Sequence, residues 1–315
     1  MSLFGSYENA GVGIAKDAPK KKPFFRYWEL VGRKFWKLIE VNMLLMASLI
    51  PLIGALFSVF FLINVNTALS LTLAAACILV FILTFGPSIA GCTKIFRNYT
   101  LEKPLFIMDT FIKTFRSCFK QSCVMGIIDL LVAASVASGM YVYPKVISQI
   151  NQGQIEGSAT LFYVMFIAGL SIAIAVLLMS FYAYLMIVST DLSMKNILKN
   201  SLALSCIALK KNLLTLLIVV LVCGVFALLT YLFPYIMVFV LPFLPLSFVG
   251  FTIVFNCYPV IQKFVINPYY AQRGEVNPEM TYAQTGGENV FEDQGGKEKP
   301  VEAPKKPKKK GKVIS

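Results

Sequence analysis

The chain contains no histidine, and charged residues make up only 14% of its 315 residues. A soluble protein needs a much larger charged share to keep its surface wet. Hydrophobic residues reach 57%. The composition therefore excludes an ordinary soluble domain and indicates an integral membrane protein. Without histidine, the chain can build neither a Cys/His metal site nor a histidine-based catalytic triad.

The chain also lacks the usual sequence marks of an enzyme. Its seven cysteines form no CxxC pair, and we interpret them as reduced thiols that pack like small apolar side chains. There is no HExxH motif and no nucleophile beside an evident base. The sequence therefore predicts no catalytic residue, no metal site and no cofactor.

The first 23 residues lack an apolar stretch, so we expect no signal peptide. Ser2 stands where N-myristoylation needs glycine. Residues 1–23 and 266–315 are rich in glycine, proline and lysine, and they cannot bury enough apolar area to order themselves. We expect both to be disordered tails, the second strongly basic, around a membrane domain at 24–265.

Long hydrophobic runs fill the region between the tails. The spacing of aromatic and apolar residues at 24–38 predicts an amphipathic helix in the lipid headgroup layer, or a soluble helix that caps the bundle. Six further runs are long enough to cross a bilayer. The sequence predicts an all-α polytopic transmembrane helical bundle with amphipathic helices on the cytoplasmic side and spans at about 39–63, 68–91, 122–143, 159–188, 213–233 and 235–263.

Lysine and arginine are distributed unevenly around these spans. With both termini inside, 28 of the 29 cations fall on cytoplasmic segments, and only Lys145 is left outside. This agrees with the positive-inside rule and predicts a multi-pass protein of the cell membrane with cytoplasmic termini. The net charge of +13 is explained by this orientation, because the cations flank apolar spans. We expect a lipid bilayer and no nucleic acid as partner.

Asp129 is the acidic residue that lies well inside a predicted span. An intramembrane carboxylate costs roughly 2.5 kcal/mol or more at the bilayer centre, so it normally faces the bundle and is paired or functional. Two interpretations stay open at this point. Asp129 is either a functional polar site, or a carboxylate that hydrates near the interface or bonds a neighbouring Ser or Tyr for packing.

Small and proline residues mark two further places in the spans. Gly86 and Ala90 lie four apart, which favours close approach of another helix, although with Pro87 they could also form a hinge. Pro242 and Pro245 break the sixth span. Such a break survives only where neighbouring helices or a wet cavity satisfy the freed backbone groups.

The segment 109–122 has the pattern of a second amphipathic helix. Its aromatic residues Phe111, Phe115 and Phe119 recur at intervals of four, and its cations lie on another face, at Lys113, Arg116 and Lys120. Such a helix either lies on the membrane or offers a docking face to a partner such as a transporter subunit.

Several stretches carry a resemblance to a known family. They are 7–13, 16–21, Arg33-Lys34-Phe35-Trp36-Lys37-Leu38-Ile39, Gly86-Pro87-Ser88-Ile89-Ala90-Gly91 followed by Arg97-Asn98, Phe115-Arg116, Phe119-Lys120-Gln121-Ser122 and Asn267-Pro268-Tyr269-Tyr270. Together they resemble the YesL-like bacterial membrane proteins, a family of unknown function. The resemblance covers most of the chain, although many members are shorter and lack much of both tails.

The resemblance implies a role in carbohydrate utilisation, because relatives are often encoded beside carbohydrate-degradation genes and sugar uptake systems. The first hypothesis is therefore an accessory or regulatory component of a carbohydrate uptake system, with a sugar transporter subunit as its partner. The alternative is a secondary transporter or channel whose path runs past Asp129 and the broken sixth span. Neither hypothesis predicts the oligomeric state.

Overall fold

The computed structural model of the chain describes residues 22–275, Asn277 and Glu279. Residues 1–21 of the tail predicted at 1–23 lie outside this part, whereas Pro23 begins the first helix. Of the tail predicted at 266–315, Asn267–Gln272 is helical, and residues 276, 278 and 280–315 lie outside the described part. The stretch Lys22–Asn277 forms one compact unit. Its regular elements are helices throughout the described part of the chain.

Ten α-helices follow one another along this unit. They are α1 (Pro23–Phe57), α2 (Thr67–Thr100), α3 (Ile107–Ser117), α4 (Phe119–Asn151), α5 (Ala159–Ser189), α6 (Met194–Ile207), α7 (Leu209–Leu232), α8 (Pro234–Val240), α9 (Pro245–Ile261) and α10 (Asn267–Gln272). Short π-helical turns, Ser58–Leu62 and Gln262–Ile266, extend α1 and join α9 to α10.

In the described part of the chain, six helical stretches are long and apolar enough to cross a membrane. They are Pro23–Leu62, Thr67–Thr100, Phe119–Asn151, Ala159–Ser189, Leu209–Leu232 and Pro245–Gln272. The prediction of an all-α transmembrane bundle is confirmed, and the chain is a multi-pass membrane protein.

The predicted interfacial helix at 24–38 is not a separate element. It forms the first turns of α1, which continues without interruption to Phe57, because no glycine or proline separates it from the first apolar run. Its predicted apolar stripe is also divided between two environments. Val31 and Leu38 are buried in the protein, whereas Phe24, Trp28 and Phe35 are exposed.

Two helices end later than the predicted spans. α2 continues through the basic residues after Gly91 to Thr100, and α4 continues through Pro144 to Asn151. A proline inside a helix removes one backbone donor, but it does not end the helix when the surrounding turns remain bonded. The connection left between the predicted spans 122–143 and 159–188 is accordingly shorter, at 152–158.

The predicted sixth span is divided into α8 and α9, with a break at 241–244. Asn42, a fully buried residue of α1, bridges this break. Its Nδ2 donates to the Pro242 carbonyl at 2.7 Å, and its Oδ1 accepts from the Ser247 backbone N–H at 2.8 Å. A neighbouring helix thus satisfies backbone groups that the break leaves without helical partners.

Helix α2 lies at the centre of the bundle and contacts α1, α3, α4, α5 and α9. α2 and α4 come close together where Gly86 meets Gly126 and Ser122. A Cβ atom added at Gly126 would lie 2.7 Å from the Gly86 Cα, and one added at Gly86 would overlap the Ser122 carbonyl oxygen. Only glycine allows two backbones to come this close.

Candidate functional site

Asp129 lies on α4 and faces α5. Ser180 donates a hydrogen bond from Oγ to Asp129 Oδ1 at 2.5 Å, and Tyr184 donates from its hydroxyl to Oδ2 at 2.8 Å. Ser180 and Tyr184 are four residues apart, so they share one face of α5. We call these three residues the Asp129 cluster. Both carboxylate oxygens are bonded, and the cluster ties α4 to α5.

The local fold explains why these side chains meet. α4 and α5 are consecutive helices joined by the short connection 152–158, so they run side by side. The close contact of Gly126 with Gly86 holds the same part of α4 against α2, one helical turn before Asp129. Asp129 is therefore held at a fixed position where three helices meet.

A cavity of about 650 Å³ opens beside the Asp129 cluster. Asp129 and Ser180 supply its polar lining, and the rest comes from apolar side chains of α4 and α5 together with Phe85 of α2. A carboxylate has about four acceptor positions, and the two hydroxyl groups occupy two of them. The cavity could therefore present the remaining positions to a hydrogen-bond donor.

Asp129 and the broken sixth span lie at different helix contacts. The cavity at Asp129 is lined by α2, α4 and α5, whereas α1 holds the break between α8 and α9. Pro242 lies within the break, and Pro245 is the first residue of α9. Gly86, Pro87 and Ala90 are all buried in continuous helix.

A second intramembrane polar cluster was not foreseen. The Tyr182 hydroxyl donates to Asn212 Oδ1 at 2.5 Å, and Asn212 Nδ2 donates to the Ser205 carbonyl at 2.9 Å. Tyr182 and Asn212 are fully buried. This cluster joins α5 to the junction of α6 and α7. An asparagine just before an apolar run was its only sequence signal.

A second, basic cavity lies at the joint between α3 and α4, beside the C-terminal end of α5. Its volume is about 770 Å³, and its lining includes the cations Lys94, Lys113, Arg116 and Lys120 and the carboxylate of Asp191. We call it the basic cavity.

Polar contacts hold the walls of the basic cavity together. Lys94 Nζ donates to the Val188 carbonyl at 2.8 Å, and Gln121 Nε2 donates to the Leu192 carbonyl at 2.9 Å. These bonds join α2 and α4 to the C-terminal end of α5 and the residues that follow it. The shape of the cavity is therefore set by three spans.

The predicted aromatic face of α3 turns largely toward the protein. Phe111 packs on α2, where a Cβ at Gly91 would lie 2.7 Å from its ring. The single helix predicted at 109–122 is wrong: the chain leaves helical geometry at Cys118, so Phe119 and Lys120 belong to α4. Phe115 and Phe119 are half-buried and continue the row across this joint, with successive ring centroids 6.0 and 5.8 Å apart. For Phe111, lipid or a partner is thus not the main contact, because α2 already occupies that face.

The exposed side of α3 carries other apolar residues. Met108 and Ile112 lie four apart and are exposed, and Phe106, just before the helix, is 84% exposed. Lys113 and Arg116 are exposed on the same short helix, and Lys113 pairs with Asp109 at 2.8 Å. The sequence shows that α3 has both an aromatic face and other apolar residues, but periodicity alone does not tell which of these contacts the bundle.

Among the described residues, no group of three or more cysteine and acidic side chains is placed to hold a metal ion. Comparison of the chain with protein families, with curated proteins and with solved structures finds no match. Membership of the YesL-like family therefore stays a prediction.

Proposed function

We propose that this multi-pass membrane protein is a non-enzymatic accessory component of a transport system for carbohydrates, and that it acts through the exposed side of α3. The positive-inside rule supports a cytoplasmic position for α3, because cations are concentrated around it. The carbohydrate class rests on the resemblance to the YesL-like proteins.

The architecture of α3 carries this proposal. One side of the helix is fixed, because Phe111 packs on α2 at Gly91. The other side presents Met108 and Ile112 beside Lys113 and Arg116. A rigid helix with apolar residues bordered by cations suits docking to a partner, since little side-chain and backbone freedom is lost on binding. The partner we propose is a membrane-bound subunit of a sugar transporter.

The intramembrane polar residues support the same proposal. Ser180 and Tyr184 engage both oxygens of Asp129, and Asn42 bonds the backbone at the sixth-span break. Each of these contacts joins different helices, which is the role expected of polar residues that stabilise a bundle. These contacts explain why Asp129, Pro242 and Pro245 lie inside the bundle, and no transport path is needed for that explanation.

One observation favours the second candidate function, a secondary transporter or channel. The cavity of about 650 Å³ reaches the Asp129 carboxylate, and a carboxylate beside a cavity within a membrane can couple a proton or cation to transport. In this candidate, Asp129 is the coupling residue and the cavity is part of the path.

Replacing Asp129 with asparagine distinguishes the two functions. The asparagine oxygen can still accept a hydrogen bond from one of the two hydroxyl groups, but the amide nitrogen cannot accept the other. We therefore expect Asp129→Asn to fold with a loss of about 0.6–2 kcal/mol in stability. If the protein is an accessory component, cells carrying Asp129→Asn in place of the native chain will take up labelled oligosaccharides at the wild-type rate per folded protein.

The matched control is Tyr184→Phe, which also removes one hydrogen bond of the cluster but keeps the carboxylate. The accessory proposal is contradicted, and the transporter favoured, if cells with folded Asp129→Asn protein no longer take up oligosaccharides while cells with Tyr184→Phe still do.

A further inference from the structure

We propose that the basic cavity binds a phosphate group that belongs to an organic molecule. The cavity is lined by four cations and one carboxylate, so its charge favours an anion. Its volume of about 770 Å³ far exceeds a single inorganic anion and lies in the range of small-molecule sites. Arg116 also borders the proposed docking side of α3, but anion binding to the purified protein requires no docking partner.

The four cations are not equally available to a ligand. Lys94 already donates to the Val188 carbonyl, and Lys113 is paired with Asp109. Within the part of the chain that the structure describes, Arg116 and Lys120 have no ion-pair partner. They lie four residues apart, on either side of the joint between α3 and α4 at Cys118. These two side chains are the ones we assign to the anion.

The backbone at the same place adds to the attraction. The first turn of α4 lines the cavity through Phe119, Lys120 and Gln121, and no side chain of the described residues caps the start of this 33-residue helix. Uncapped N–H groups favour an anion at such a terminus, while the carboxyl end of α3 at the same joint offsets the positive end of the α4 dipole. The helix end alone would not define a site, but here it opens into a cavity with Arg116 and Lys120 at its wall.

Phosphate fits this arrangement better than carboxylate. The guanidinium of Arg116 can form two parallel bonds to phosphate oxygens, and Lys120 can meet a third oxygen as a point charge. A phosphate carries up to two charges, which strengthens its attraction to the cations against the repulsion from Asp191 in the same lining. Both an anionic lipid headgroup and a soluble phosphate ester share this chemistry.

The test uses the full-length protein in nanodiscs of phosphatidylcholine, with two probes measured in parallel. One probe is fluorescent phosphatidylglycerol added to the nanodisc, whose binding is read from its fluorescence. The other is glycerol 3-phosphate in solution, whose binding is measured by calorimetry. We expect wild type to bind at least one probe, and Arg116→Gln/Lys120→Gln to weaken that binding about tenfold or more.

The matched control is Lys195→Gln/Lys199→Gln on α6. This variant also loses two positive charges, but from lysines outside the cavity lining, so it should bind the probes like wild type. Binding of the lipid alone identifies a headgroup site, and binding of glycerol 3-phosphate identifies a soluble ligand. The proposal is overturned if wild type binds neither probe, or if both double variants lose binding equally.

Discussion

Replacing Asn42 with leucine should destabilise the protein by about 2–4 kcal/mol. The change keeps the side-chain volume similar but removes both polar atoms. The Pro242 carbonyl and the Ser247 N–H would then be buried without a partner at the break between α8 and α9. No water replaces these bonds in the hydrocarbon region, so the break itself should open or shift. Equilibrium unfolding in mixed micelles measures the loss.

The control for this prediction is Ser247→Ala. Within the described residues, the Ser247 hydroxyl bonds only the Leu244 carbonyl of its own turn, whereas the backbone N–H that meets Asn42 is unchanged by the substitution. We expect a loss below about 1 kcal/mol. Equal stability of wild type and Asn42→Leu would show that the break does not depend on α1.

Replacing Gly86 with alanine should cost about 1–3 kcal/mol or more, although it adds only one methyl group. The new Cβ would overlap the Ser122 carbonyl oxygen and lie 3.1 Å from the Gly126 Cα. Both obstacles are backbone atoms of α4, so no side chain can turn aside to make room. The helices must separate, which also moves α4 relative to α5 at the Asp129 cluster. Unfolding titration and recovery of monodisperse protein in detergent measure the effect.

Gly224→Ala on α7 is the matched control, because it is the same chemical change at a place where, among the described residues, nothing beyond its own stretch of helix lies within 4 Å of the added Cβ. It should leave stability unchanged or raise it slightly through helix propensity. If the two alanine variants are equally stable, the backbones of α2 and α4 are not in the contact described here.

The six membrane helices could be predicted from the sequence because hydrophobic length is a local property. Helix ends were harder to locate. The polar residues after Gly91 and after Pro144 predict that the spans end there, but α2 and α4 continue through them because their hydrogen bonding is not interrupted. Charged residues likewise predict a boundary between the helix at 24–38 and the first span, but α1 is continuous there.

The partners of each residue depended on the three-dimensional arrangement. The spacing of Gly86 and Ala90 predicted a close approach, but nothing in the sequence paired Gly86 with Gly126. The role of Asn42 has no signal in the sequence, because it depends on the broken backbone opposite it, 200 residues away. For Asp129, a bond to Ser or Tyr was one of two open interpretations, and the structure places Ser180 and Tyr184 there.

The periodicity of α3 showed that the helix is amphipathic but not which side is covered. Phe111 is the residue in contact with α2, and Met108 and Ile112 are exposed. The basic cavity was equally hidden, because Lys94 and Asp191 come from distant parts of the chain. Its cations were visible in the sequence only as a positive-inside signal.

Photocrosslinking from α3 in native membranes tests the proposed function most directly. A photoreactive amino acid replaces Ile112, which is exposed on α3, and in a separate variant replaces Leu221, which is exposed on α7. Crosslinked products are identified by mass spectrometry. We expect position 112 to capture a subunit of a sugar transporter that position 221 does not. Only lipid adducts from position 112, or the same proteins from both positions, would contradict the account.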